Sequence, residues 1–316
     1  MRLDDERESN NVEDDRGQGG GGFGFGGGGG GFGGGGGLIP MLFGFVFSRF
    51  GCGGVVVLGI IVLVFGGLGN LGGLIGGLGG GGSAPTQQIG QPQESAAPAT
   101  PPGQETASRR FVRKVLATTE DSWNKILPAQ ANVRYVDPTL KLFRGSVQSG
   151  CGGASAASGP FYCPADQRVY LDTSFFDELS SRFGSPGDFA QAYVIAHEIG
   201  HHVQKLLGIS DQAEEAMSRA STRQRNAISV RLELQADCFA GIWAKDNAKL
   251  LDPGDVEEAV RAATAIGDDR LQQQAQGTVV PDSFTHGSSA QRVHWLQQGI
   301  TGGTIDGCDT FKAGAI

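Results

Sequence analysis

The spacing of apolar residues divides the chain into a globular stretch and two unlike stretches before it. From residue 108 onward, apolar positions recur at helical or strand spacing. Phe111, Val115, Leu116 and Trp123 predict a helix over 109–123 that ends before Pro128. Val133 to Phe143 predicts two short strands around Pro138, and Arg168 to Leu171 alternates as another. FFDELSSRF reads as a short helix, and helical spacing dominates beyond Pro186. The expected fold class is therefore α+β, mainly helical with a small sheet, over residues 108–316.

Ahead of this domain, Leu38 to Leu78 is apolar, broken by Arg49 and Asn70. Its densest part, Val55 to Phe65, is aliphatic or aromatic except for Gly59. Residues 38–82 thus predict a membrane segment, with a span over about 54–76, roughly the length that crosses a bilayer core. Residues 1–37, first charged and then almost pure glycine, predict a disordered tail. Residues 83–107, mostly Pro, Ala and Gln with Thr, Ser and Gly, predict a flexible linker. Arg2, Arg7, Arg16 and Arg49 precede the apolar segment and the next basic residue is Arg109. That asymmetry predicts a single pass with a cytoplasmic N-terminus and the domain outside.

Composition changes this picture in two respects. The formal net charge is -8 and no basic run exists, which argues against nucleic acid as a partner. Of the five cysteines, Cys151, Cys163, Cys238 and Cys308 fall in the globular part. No C-x-x-C pair supplies zinc-thiolate spacing, so two disulfides are expected. Four cysteines allow three connectivities. Cys151 with Cys163 and Cys238 with Cys308 is the preferred one, because the first pair closes a short Gly/Ser/Ala-rich loop.

The chemistry concentrates in one predicted helix, DFAQAYVIAHEIGHHVQKLLG, with Ser185 as its expected cap and Pro186 in its first turn. His197 and His201 lie four apart, on one face, where both imidazoles reach one tetrahedral ion. Glu198, beside them, is angled to act on a water rather than to bind the metal. A surface helix with two chance histidines is the alternative, but its apolar neighbours mark this one as buried.

A hydrolytic zinc site takes a third protein ligand, which could be His, Asp or Glu downstream. The metzincin extension is absent after His201. Glu233 in RLELQADCF is the expected third ligand, with Asp237 four residues on as the carboxylate that orients a ligand histidine. A solvated pair of acids is the alternative there. His286, in FTHGSSAQRV, is a candidate oxyanion donor, and Arg292 a candidate clamp on a carboxylate; a packing role fits either equally well.

The chain resembles the bacterial neutral zinc metallopeptidase family of the YpfJ type. The likeness rests on RESNNVEDDRG, the glycine tract, the apolar segment, VYLDTSFFDEL, AYVIAHEIGHHVQ, RLELQADCFAGIWA and FTHGSSAQRV. More distantly, HEIGH with ELQAD and THG…R is similar to Glu-zincins of the prenyl-protein protease and stress-peptidase type. By that likeness Val169, Tyr170 and Leu171 form an edge strand that binds the substrate backbone. The resemblance implies one Zn2+ per chain, a polypeptide substrate and a bacterial plasma-membrane location. Two other functions stay open: a non-catalytic zinc-binding module, and a zinc amidase acting on cell-wall peptides.

Overall fold

The computed structural model describes residues 1–16 and 106–316. Strand β1 (Val12–Asp14) comes first, and helix α1 (Ala107–Ala131) opens the main body. Three strands and a hairpin follow: β2 (Thr139–Phe143), the hairpin β3 (Ser146–Ser149) and β4 (Gly152–Ser155), then β5 (Phe161–Cys163) and β6 (Arg168–Asp172). The remainder is helical: α2 (Ser174–Ser181), α3 (Asp188–Leu206), α4 (Ile209–Ser218), α5 (Thr222–Asp246), α6 (Asp255–Ala265), α7 (Asp268–Gln276) and α8 (Ser289–Gly302). This is the mainly helical α+β class that the apolar spacing predicts.

The main sheet runs β1-β2-β6-β5, with β1, β2 and β6 parallel and β5 antiparallel to β6. Leu140, Leu142, Val169 and Leu171 alternate onto the face that packs against the helices. Phe143 and Tyr170 point the other way and join Val147 and Cys163 in a smaller cluster. The β3–β4 hairpin lies in a Gly/Ser-rich stretch whose sequence carries no strand signal. Both expected disulfides, Cys151–Cys163 and Cys238–Cys308, are formed.

Three expectations about elements change. Helix α1 continues through Pro128 to Ala131, because a proline near the last turn forgoes only one helical bond. Of the two strands expected around Pro138, only β2 forms. Helix α3 is capped by Gly187 rather than Ser185, which is buried. A Cβ at Gly187 would come within 2.0 Å of Glu258, whose carboxylate instead accepts the Phe189 N–H at 3.2 Å.

The larger correction concerns residues 1–16, expected as part of a disordered tail on the far side of a membrane. They lie against the domain. Met1 donates from its α-ammonium to both oxygens of Asp188 at 2.8 Å. Arg7, Ser9 and Asn11 converge on the buried Glu120 of α1, and β1 extends the sheet. A chain that crossed a bilayer once between residues 16 and 106 would put these partners on opposite sides. Among the described residues, no helix is long and apolar enough to cross a membrane. The expected single-pass topology with a cytoplasmic N-terminus and external domain therefore does not hold. The apolar stretch 38–82 and the linker as far as residue 105 lie outside the described residues.

Candidate metal centre

Three helices meet at this site because small residues let their backbones approach. A Cβ on Gly200 of α3 would lie 2.9 Å from the Ala236 carbonyl of α5. One on Gly241 of α5 would lie 2.3 Å from the Leu296 carbonyl of α8. Glycine at these positions brings the HEIGH turn of α3 against the ELQAD turn of α5, with Arg292 of α8 behind both.

His197, His201 and Glu233 each turn one donor atom to a common point, and these atoms lie within 4.8 Å of one another. His197 Nε2 is 3.2 Å from Glu233 Oε2, and His201 Nε2 is 3.5 Å from Glu233 Oε1. The two imidazole rings stand perpendicular with centroids 4.8 Å apart. Each ring is held from its other nitrogen: His197 Nδ1 by Asp237 Oδ1 at 2.9 Å, and His201 Nδ1 by Gln204 Oε1 at 2.9 Å. Asp237 Oδ1 can only accept, so in the neutral His197 ring the proton sits on Nδ1 and the Nε2 lone pair faces inward. Two imidazoles and one carboxylate, oriented this way, fit a tetrahedral zinc with one open position.

Charge is arranged to match. Burial resists ionisation of Asp237, yet Arg292 and His197 hold its pKa down at about 2. Arg292 grips it at two points, and Tyr193 donates its hydroxyl to Oδ1 at 2.6 Å. Burial also opposes a charge on His197, but Asp237 and then Glu233 outweigh it and raise the pKa to about 10. Metal binding at neutral pH would therefore displace a proton from this ring. Glu233 is held well below the usual carboxylate range; burial works against this, and His201 and His286 overcome it.

Glu198 is 8% exposed and has no hydrogen-bond or ion-pair partner among the described residues. Among the described residues nothing ties its carboxylate back. His286 lies in the loop between α7 and α8. Asp268, the first residue of α7, holds that loop by accepting the backbone N–H groups of Thr285 and His286, each at 2.6 Å. Gly287 there has φ +89°, a conformation that favours glycine. The His286 ring is 43% exposed, and partial burial opposes its charge. Glu233 and Asp268 nevertheless raise its pKa.

The fold thus brings together His197, Glu198, His201, Glu233, Asp237, His286 and Arg292. It does not provide the expected substrate edge. Val169, Tyr170 and Leu171 lie in β6, an inner strand: all three pair with β2, and Val169 and Tyr170 also pair with β5. The terminal strand at that end of the sheet is β5. Sequence reading passed over Tyr193 and Gln204. Their signal was present: Tyr193 lies one turn before His197 and Gln204 three residues after His201, both on the metal-facing side.

A family model described as "Putative neutral zinc metallopeptidase" matches residues 1–311. The chain belongs to this family. It is 45% identical over 313 residues to Escherichia coli (strain K12) "Uncharacterized protein YpfJ", covering 98% of this chain and 99% of that one. It is 43% identical over 223 residues to Mycobacterium tuberculosis (strain ATCC 25618 / H37Rv) "Uncharacterized protein Rv2575", covering 65% of this chain and 73% of that one. No solved structure matches. Zinc is the metal that family membership leads one to expect, and the His/His/Glu donor set suits it.

Proposed function

We propose that the chain is a zinc-dependent endopeptidase that hydrolyses peptide bonds of polypeptide substrates with an activated water. The observation that carries this reading is the convergence of His197, His201 and Glu233 within 4.8 Å, beside Glu198, which has no partner among the described residues. His197, His201 and Glu233 hold one zinc per chain. Bound there, zinc supplies Lewis acidity, lowering the pKa of a water and polarising the scissile carbonyl.

The remaining work falls to the protein's own side chains. Glu198 accepts a proton from the attacking water at its carboxylate and passes it to the departing amine. His286, whose pKa is raised, donates a hydrogen bond to the oxyanion that develops on the carbonyl. Asp237 keeps the His197 proton on Nδ1, and Arg292 and Tyr193 keep Asp237 in place.

Glu198 is the residue that separates this reading from that of a zinc-binding module without turnover, which has no use for a base beside its ligands. The test is cleavage of unfolded protein substrates by the zinc-loaded full chain and by Glu198→Gln. The variant is expected to keep its zinc and to lose about 10²–10⁴-fold in rate. Equal cleavage by both proteins would overturn the role of Glu198. Stoichiometric zinc with no cleavage by the unaltered chain would favour the binding module.

A further inference from the structure

We infer that Gln204 and Gln235 form a relay, anchored on the Cys308 carbonyl, that fixes the proton of His201 on Nδ1 and so leaves Nε2 free for the metal. This deepens the proposed function and rests on His201 being a ligand. Side-chain amides are ambiguous by shape, but here each orientation is settled by a carbonyl that can only accept.

Cys308 O lies 3.1 Å from the side-chain amide of Gln235, so the group facing it is the NH₂. Gln235 Oε1 is then turned to Gln204 and accepts from its Nε2 at 3.1 Å. The Leu232 carbonyl, 2.7 Å from the same Nε2, makes the same demand independently. Gln204 Oε1 is left facing His201 Nδ1 at 2.9 Å, and it can only accept. His201 Nδ1 therefore bears the proton.

That matters because a neutral imidazole carries one N–H. With the proton on Nε2, an N–H would point to where a metal must bind. Both amides are buried, Gln204 at 0% and Gln235 at 3% exposure, so flipping either would set acceptors against acceptors with no water to relieve them.

The anchor is itself fixed. Cys308 is bonded to Cys238, one residue beyond Asp237 on α5. Thr310 donates its hydroxyl to the Arg231 carbonyl at 2.7 Å, and Arg231 donates to the Thr310 carbonyl. The segment after α8 is thus stapled to the helix that carries Glu233. His197 is backed by a carboxylate, whereas His201 is backed by a neutral chain that orients it without adding charge.

The test uses the full chain with Gln204→Leu and Gln235→Leu variants. Two properties are measured: the His201 tautomer in the metal-free protein, by ¹⁵N NMR of labelled histidine at a pH where the ring is neutral, and zinc affinity by competition with a chelator. The unaltered protein is expected to show the Nδ1–H form. Gln204→Leu is expected to shift the proton toward Nε2 and to weaken zinc binding about 10–100-fold. Gln235→Leu, which leaves the immediate partner of His201 in place, is expected to weaken it on the order of three- to tenfold. Affinity unchanged in Gln235→Leu would overturn the relay, as would an Nε2–H tautomer in the unaltered protein. If Gln204→Leu does not fold, Gln235→Leu decides alone. An unaltered chain that bound no zinc would sink the metal reading instead, and the tautomer would still judge the relay.

Discussion

Arg292 and Asp237 meet in a two-point pair, Nε to Oδ2 at 2.8 Å and Nη2 to Oδ1 at 2.9 Å, with side chains 4% and 0% exposed. The pair ties α8 to α5 directly behind His197, so one buried contact serves both the fold and the site. Removing the guanidinium would leave the Asp237 carboxylate buried with only Tyr193 and His197 as partners. Arg292→Met is expected to lose about 3–5 kcal/mol of stability. Urea unfolding of the metal-free protein measures this, and a loss below about 1 kcal/mol would contradict it.

His202 makes a prediction about acid. It is fully buried, donating from Nε2 to the Val136 carbonyl at 2.7 Å and accepting from the Tyr162 hydroxyl at Nδ1. Burial pushes its pKa down to about 4, against the partial opposition of the Val136 carbonyl. The folded protein keeps this ring neutral, whereas the unfolded chain protonates it below its ordinary value of 6.5. Its contribution is complete above pH 6.5 and is lost as pH falls to about 4, on the order of 3 kcal/mol in all. His202→Gln should flatten the dependence of unfolding free energy on pH across that window. Equal slopes in the two proteins would refute the assignment.

The N-terminal segment is expected to be indispensable to the fold. Arg7, Ser9 and Asn11 reach Glu120 at 2.8, 2.5 and 2.8 Å, and Glu120 is 2% exposed. Deleting residues 1–16 strands that carboxylate and is expected to cost about 3–5 kcal/mol or more. A truncated chain that melts with the full one would contradict this.

Removal of residues 17–105 should have the opposite result. Arg16 Nη2 lies 3.3 Å from Thr106 Oγ1, and Nη1 3.3 Å from Ser108 Oγ, so the cut ends are neighbours. Joining them with a short Gly/Ser linker breaks no described contact and shortens the connection between Arg16 and Thr106, which favours closure. Stability equal to or above that of the full chain is expected in urea unfolding, and a clear loss would contradict it.

What could be read from the sequence follows the range of each interaction. His197 and His201, and Glu233 and Asp237, were legible because an α-helix fixes which residues four apart share a face. Cys151–Cys163 was legible because its loop is short. The docking of residues 1–16 was not, since that segment has no apolar period. It is held by polar partners more than 100 residues away, such as Asp188 and Glu120. The place of β6 inside the sheet was hidden for a similar reason: alternation marks a strand but not its neighbours. Tyr193 and Gln204 were passed over, although both share the face of His197 and His201, because the sequence does not show that α3 packs against α5, where Asp237 and Gln235 meet them.

The central claim is that His197, His201 and Glu233 form one zinc site used for hydrolysis. It is tested most directly by zinc content after dialysis, with proteolysis assayed in parallel, for the full chain and for Glu233→Ala. About one zinc per chain, with cleavage, is expected in the unaltered protein. Affinity should fall about 10–100-fold or more in the variant, with cleavage lost. A Glu233→Ala protein that holds zinc as tightly as the unaltered chain would contradict the account.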